Sequence, residues 1–119
     1  MKTLIAIFLV LFLSIPAAWA GEIDGKGVWC DNGNNSYGYW FEDGKYLWYR
    51  IKGYEINLYK GSHYTLLGTS TIQMGGVSNR LDRTTLKMDS SQCYLVTSRE
   101  ELEGILRAII DKGKAENKL

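Results

Sequence analysis

Residues 37–52 alternate regularly in character on either side of an Asp43-Gly44 pair. A period of two is typical of β-strands, and Asp-Gly is a preferred sequence for a two-residue hairpin turn because both residues tolerate positive φ. With this pair as the turn, Glu42 lies opposite Lys45. The pattern therefore predicts an antiparallel hairpin whose register is fixed by its turn.

A second hairpin follows and is predicted to turn at Lys52-Gly53, which would pair Tyr49 with Ile56. Lysine is a poor residue for positive φ, so a bulge beside this turn is an alternative. Both hairpins place the same largely apolar side chains on one face of the sheet. We expect that face to pack into the core, with the residues Trp40, Leu47, Tyr49, Ile51, Tyr54, Ile56 and Leu58.

Short alternating segments between glycine, asparagine or serine turns continue to Val96, which is typical of antiparallel strands. Seven or eight such strands in one meander twist strongly and tend to curl, because closure removes exposed edges. The sequence therefore predicts a mainly β fold, a single antiparallel meander curled into a small barrel or half-barrel. The other strands are expected at 26–30, 63–67, 69–74, 84–88 and 92–96, with breaks at Gly61-Ser62, Gly75-Gly76 and Ser90-Ser91 and a strand or long turn at 77–83.

One C-terminal amphipathic helix is predicted at about residues 98–112. Ser98 and Glu101 form a capping box, and Gly113 is a plausible stop. Packing against the sheet is the expected role of the apolar stripe, with a membrane or a partner helix as the alternatives. The stripe consists of Leu102, Ile105, Leu106, Ile109 and Ile110.

Residues 1–20 have the layout of a secretory signal peptide, with a positive charge at Lys2, an apolar run and small residues before the expected cleavage after Ala20. The apolar run is shorter than the ~20 residues that cross a bilayer, so a membrane anchor is the weaker interpretation. We expect a single exported domain at residues 21–119, periplasmic or extracellular. The formal net charge of the full chain is +1, which argues against a nucleic-acid partner.

The two cysteines, Cys30 and Cys93, are predicted to form one disulfide, because paired cysteines in an exported domain usually do. Catalysis and metal binding have few candidate residues. His63 is the one histidine, and together with two separated cysteines it does not make a zinc site. We therefore expect no enzyme, no cofactor and no metal, with a small hydrolase using paired carboxylates as an alternative.

The opposite face of the hairpins is unusually aromatic. Aromatic side chains with polar tips suit recognition because they offer a large and rigid contact area. Two interpretations stay open: this face is a binding surface, or it lines the inside of the barrel or is covered by the helix. The candidate binding face consists of Tyr37, Tyr39, Phe41, Tyr46, Trp48 and Tyr59.

Gly27-Val28-Trp29 in the first strand, followed by a meander and a C-terminal helix, resembles the GxW opening of lipocalin-type barrels. That resemblance implies a barrel that holds a small apolar ligand. The chain is also loosely similar to the small periplasmic lysozyme inhibitors, which are exported, disulfide-bridged β-barrels. The sequence leaves three functional hypotheses. The chain is a non-enzymatic domain that binds a protein or a glycan, a lipocalin-like carrier with a cavity of ~300 Å³ or more, or the hydrolase.

Overall fold

The computed structural model describes residues 23–75 and 79–117. Within them, eight antiparallel strands form one nearly closed, barrel-like sheet, which a C-terminal helix accompanies. The predicted fold class is thus confirmed, whereas the predicted signal peptide lies outside the described residues. The elements are β1 Lys26–Asp31, β2 Ser36–Glu42, β3 Lys45–Lys52, β4 Glu55–Leu67, β5 Thr71–Met74, β6 Arg80–Asp82, β7 Lys87–Met88, β8 Ser91–Val96 and α1 Arg99–Glu116.

The sheet has the order β6-β5-β4-β3-β2-β1-β8-β7, so the first and last strands of the order are consecutive in the chain. Between them, the Leu86 N–H donates to the Asp82 carbonyl (2.8 Å). The short connection brings the two edges of the sheet together, because β6 ends only a few residues before β7 begins. The strand order therefore nearly closes the barrel, because it places the edge strands β6 and β7 next to each other.

The first hairpin has the predicted register, with Glu42 paired with Lys45. Asp43 and Gly44 have φ angles of 55° and 70°, as a two-residue turn with positive φ at both positions requires. The Asp24 carboxylate accepts a hydrogen bond from the Gly44 N–H (3.1 Å). The segment before β1 therefore closes the end of the barrel at which this turn lies.

The register predicted for the second hairpin is wrong by two residues. The turn lies at Gly53-Tyr54 rather than at Lys52-Gly53, so Lys52 pairs with Glu55. Gly53 takes the first turn position, where its φ of 64° is unstrained. Because side chains alternate with a period of two, a shift of two residues leaves every side chain on its predicted face.

The predicted break at Gly61-Ser62 is wrong, since β4 continues through both residues. The ring of Tyr46, on the neighbouring β3, packs directly on Gly61, and a Cβ at this position would clash with the ring. A register shift between β3 and β4 lies beside this contact. Gly61 is therefore a site of close approach between two strands rather than a turn residue.

Gly61→Ala should lower the free energy of unfolding by about 1–3 kcal/mol, since the added methyl forces the Tyr46 ring and β4 apart. Urea denaturation measures the change. The matched control is Gly104→Ala in α1, where nothing lies within 4 Å of the added Cβ and alanine favours the helix. A Gly61→Ala variant as stable as Gly104→Ala would contradict the Tyr46 packing.

The ends of three other elements differ from their predictions. β5 begins at Thr71, and the strand expected at 84–88 is reduced to β7. The Asp82 carboxylate causes this shortening, because it accepts hydrogen bonds from the N–H groups of Thr84 (2.8 Å) and Thr85 (3.0 Å) and so forms a turn. These bonds, that of Thr85 first, hold the pKa of Asp82 below its usual value.

The third difference is the end of the helix, which runs past Gly113 to Glu116. Its start is as predicted: Ser98 Oγ accepts from the Glu101 N–H (3.0 Å). On the sheet side, a Leu102 methyl packs on Gly38, where a Cβ would clash with it. The predicted packing of the stripe against the sheet is confirmed, because Leu102, Leu106 and Ile110 are buried.

The sheet separates two hydrophobic clusters. The face predicted to be the core is the outer face, and Trp40 and Tyr49 are buried there against α1. Tyr54 and Leu58 were expected in this core but are 45% and 43% exposed, since a single helix covers only part of the outer face. The inner cluster contains Ile23, Val28, Cys30, Tyr39, Phe41, Tyr64, Ile72, Met74, Leu81, Met88 and Cys93.

The predicted disulfide is present and joins Cys30 of β1 to Cys93 of β8 at directly paired positions. Their Cα atoms are 3.9 Å apart. Both residues are buried in the inner cluster. Such a bond is consistent with an oxidising compartment.

Candidate functional site

The predicted aromatic face is the concave, inner face of the barrel. Tyr39 and Phe41 are buried there, whereas Tyr59 is 42% exposed. Exposure increases towards β4 and towards the barrel end at which the β1–β2 loop and the β3–β4 turn lie. The face is thus neither wholly core nor wholly surface. The remaining members, all half-buried, are Tyr37, Tyr46 and Trp48.

The strand registers arrange this part of the inner face in three rows across β2, β3 and β4. The row at the closed end has one buried and two half-buried residues, and in the row at the β1–β2 loop end Arg50 is exposed. The rows are, in that order, Phe41, Tyr46 and Gly61; Tyr39, Trp48 and Tyr59; and Tyr37, Arg50 and Asn57.

Trp48 is the centre of the partly exposed region. Its ring is nearly parallel to that of Tyr39 (centroids 6.3 Å apart, 10° between planes). On the β4 side, Tyr59 is tilted against it at 5.5 Å, and along β3 the Arg50 guanidinium carbon lies 4.8 Å from the ring centroid. We refer to Tyr37, Trp48, Arg50 and Tyr59 as the aromatic–arginine cluster.

The indole nitrogen of Trp48 is an unusual feature of this cluster. Nε1 is buried and has no hydrogen-bond partner among the described residues. Leaving a buried donor unpaired costs about 1–3 kcal/mol, so most proteins avoid it. The cluster therefore contains a polar group that folding alone does not satisfy.

Arg50 is exposed and lies over two rings, those of Trp48 (4.8 Å) and Tyr59 (5.9 Å). Contacts of a guanidinium with aromatic faces are favourable and restrict the side chain. In the described part of the chain, the one ion pair is between Arg99 and Glu42, so Arg50 forms no ion pair there. The cluster is therefore cationic at its solvent side.

The loop between β1 and β2 borders the cluster and is internally hydrogen bonded. Asn32 Oδ1 accepts from the N–H groups of Asn34 (2.9 Å) and Asn35 (2.8 Å), and Asp31 Oδ1 accepts from Gly33 (2.8 Å). These bonds hold the loop in one shape. Between loop and cluster is a cavity of ≈ 200 Å³, lined by Asn32, Asn35, Ser36, Tyr37, Trp48, Arg50 and Ile51.

Two interactions connect this cavity to the rest of the barrel. The Tyr37 hydroxyl donates to Ser91 Oγ (2.6 Å), which joins β2 to β8 across the interior. Burial raises the pKa of Tyr39 well above its usual value, and the neighbouring hydroxyls of Tyr37 and Tyr46 and the Asp89 carboxylate raise it further. Tyr39 therefore stays neutral, and the charged groups that act on it are Asp89 and Arg50.

The chain matches no family model, no curated protein and no solved structure. The site must therefore be interpreted from its own geometry. Among the described residues, no helix is long and apolar enough to cross a membrane.

A second cavity, of ≈ 160 Å³, lies near the opposite end of the barrel. Its lining is mostly apolar and includes Ile23 and Leu95, with Lys26 and Arg83 as the charged residues. Leu95 is 58% exposed. Both cavities are smaller than the ~300 Å³ expected of a carrier.

Among the described residues, no group of three or more histidine, cysteine or acidic residues is placed to bind a metal. His63 is exposed on β4, opposite Lys45. The linings of the two cavities include no carboxylate among the described residues.

Arg50, Asn32 and Asn35 were not among the residues predicted for the candidate site. Arg50 had a detectable signal, because it follows Trp48 by two residues and so shares its face. Asn32 and Asn35 had no such signal in the sequence, since the composition of a polar loop between two strands does not indicate which side chains of the barrel it lies against.

Proposed function

We propose that this chain is a small, exported, non-enzymatic binding domain that recognises a glycan through the aromatic–arginine cluster. The observation that carries the proposal is the cavity of ≈ 200 Å³, where aromatic rings, a guanidinium, amides and a hydroxyl converge. Sugars offer both apolar C–H faces and many hydrogen-bonding groups. Aromatic rings pack against the C–H faces of a sugar, and polar side chains beside the rings form hydrogen bonds with its hydroxyl groups.

The shape of the site favours a glycan over a protein. Stable protein interfaces bury about 800 Å² on each partner around fully desolvated anchors. Here the aromatic surface is concave, and only Tyr59 of the predicted face is more than a third exposed. Among the described residues, none of the exposed large apolar ones, which are Tyr54, Leu58, Tyr59, Tyr94 and Leu95, lines this cavity, and only Tyr59 contacts the residues that do. A ligand no wider than one sugar ring fits better than a flat protein surface.

A binding role also agrees with the chemistry of the acids. A hydrolase with paired carboxylates needs one acid with a raised pKa beside its cleft. Backbone N–H donors lower the pKa of Asp82, the opposite of the change that a catalytic acid needs. Asp82 therefore has a structural role.

The test compares two adjacent residues of β4. Tyr59 and Leu58 are 42% and 43% exposed but point to opposite faces of the sheet. The purified chain, with its disulfide intact, is applied to a printed array of neutral and acidic oligosaccharides. Tyr59→Ala should weaken the strongest signal by about 10-fold or more, as the loss of an aromatic anchor does.

Leu58→Ala is the matched control and should leave the array signal unchanged, because its side chain lies on the outer face. Circular dichroism of both variants checks that the fold is retained. An array without any signal for the unchanged chain, or equal losses in the two variants, would overturn the proposal.

A further inference from the structure

We infer that the glycan recognised by the aromatic–arginine cluster carries a carboxylate, as a uronic acid or a sialic acid does, and that Arg50 binds this group. The inference rests on the proposed function and specifies its ligand. Arg50 is exposed and lines the ≈ 200 Å³ cavity together with Trp48. Its guanidinium lies over the rings of Trp48 and of Tyr59, which borders the cavity without lining it.

The donors of Arg50 are available to a ligand. A guanidinium has five N–H donors and no acceptor, and within the described residues Arg50 makes no ion pair, since the pair formed there is that of Arg99 with Glu42. Its contacts are with the faces of two rings. These contacts fix the orientation of the planar guanidinium, because its face lies against the rings. Its N–H groups, which point outward in the plane, can then donate two parallel hydrogen bonds to a carboxylate.

The groups around Arg50 also favour an acceptor. Asn32 uses its side-chain oxygen for two backbone N–H groups of its own loop, so its amide NH₂ is the part that can serve a ligand. The buried Trp48 Nε1 is another donor without a partner in the described chain. A carboxylate is an acceptor only, so it complements a site that is rich in donors.

Two acidic residues, Asp31 and Asp89, lie near the site, but the cavity lining has no aspartate or glutamate among the described residues. Asp89 acts on Tyr39 and makes no ion pair with Arg50, since the ion pair found in the described ranges is that of Arg99 with Glu42. Asp31, at the start of the β1–β2 loop, is engaged by the Gly33 N–H (2.8 Å). Asn35 and Ser36 give the lining neutral acceptor oxygens, so the charged group in the described lining is the Arg50 cation, which favours an anionic ligand.

The experiment measures binding by titration calorimetry with matched probes. One is a trisaccharide of uronic acid, and the other is the neutral trisaccharide with a hydroxymethyl group in place of each carboxylate. The acid should bind at least 10-fold more tightly. Arg50→Gln should weaken acid binding by about 10- to 100-fold and change neutral binding by less than about 3-fold.

Two variants sharpen the result. Arg50→Lys should recover only part of the affinity, because an ammonium keeps the charge but not the two-pronged geometry. Arg107→Gln, on the exposed side of α1, removes the same charge elsewhere and should leave binding unchanged.

The possible failures are distinguishable. Equal binding of the two trisaccharides, or an acid preference that survives Arg50→Gln, overturns the inference and leaves the proposed function in place. Tighter binding of a sulfated trisaccharide than of the uronic acid also overturns it, because the site would then select charge rather than a carboxylate. Binding of no saccharide at all overturns the proposed function itself.

Discussion

Replacing both Cys30 and Cys93 by alanine is expected to lower the free energy of unfolding by about 4 kcal/mol. The bond joins residues 63 positions apart, so breaking it frees a long loop in the unfolded chain. A domain of this size has only about 5–15 kcal/mol of total stability. The loss would therefore be a large share of what holds the barrel together.

Urea denaturation of the single and double variants measures this effect. Each single substitution already breaks the bond, so the double variant should be little less stable than either single variant. Reduction of the unchanged chain should have a similar effect. Additive losses from the two single substitutions would indicate that packing of the buried side chains, rather than the cross-link, provides the stability.

Leu102→Ala is expected to lower the free energy of unfolding by about 3 kcal/mol, within the range for fully buried leucines. Leu102 is 0% exposed and packs directly on the backbone at Gly38. Truncation leaves a cavity between α1 and the sheet that a strand glycine cannot fill. The same substitution should also increase hydrogen exchange along the helix.

Arg107→Ala is the control for this prediction, since Arg107 lies on the same helix but is exposed. It should change stability by less than about 0.5 kcal/mol. A Leu102→Ala variant that unfolds at the same urea concentration as Arg107→Ala would show that α1 contributes little to the stability of the barrel.

The second hairpin shows how far local sequence patterns can be used. The position of its turn was wrong, because several two-residue turns near Gly53 were compatible with the local sequence. The assignment of side chains to faces was still right, since the error was an even number of residues. The alternation of side chains along a strand therefore predicts which face each residue lies on. The pairing between the strands depends instead on which residue next to Gly53 shares the turn with it.

Gly61 shows a different limit. Glycine beside serine usually marks a turn, and nothing in the local sequence indicates otherwise. The true reason for this glycine is the ring of Tyr46 on the next strand. A contact between residues that are distant in sequence cannot be deduced from either segment alone.

The amino-acid sequence by itself determined the antiparallel meander, the first hairpin, the capped start of the helix and the pairing of the two cysteines, because each follows from local periodicity, turn chemistry or a count of residues. Only the tertiary structure decided which face of the sheet is inside. Curling put the aromatic side within the barrel, because α1 covered the other side. The same closure brought Arg50 and the β1–β2 loop to one end, and so created the cavity on which the proposed recognition depends.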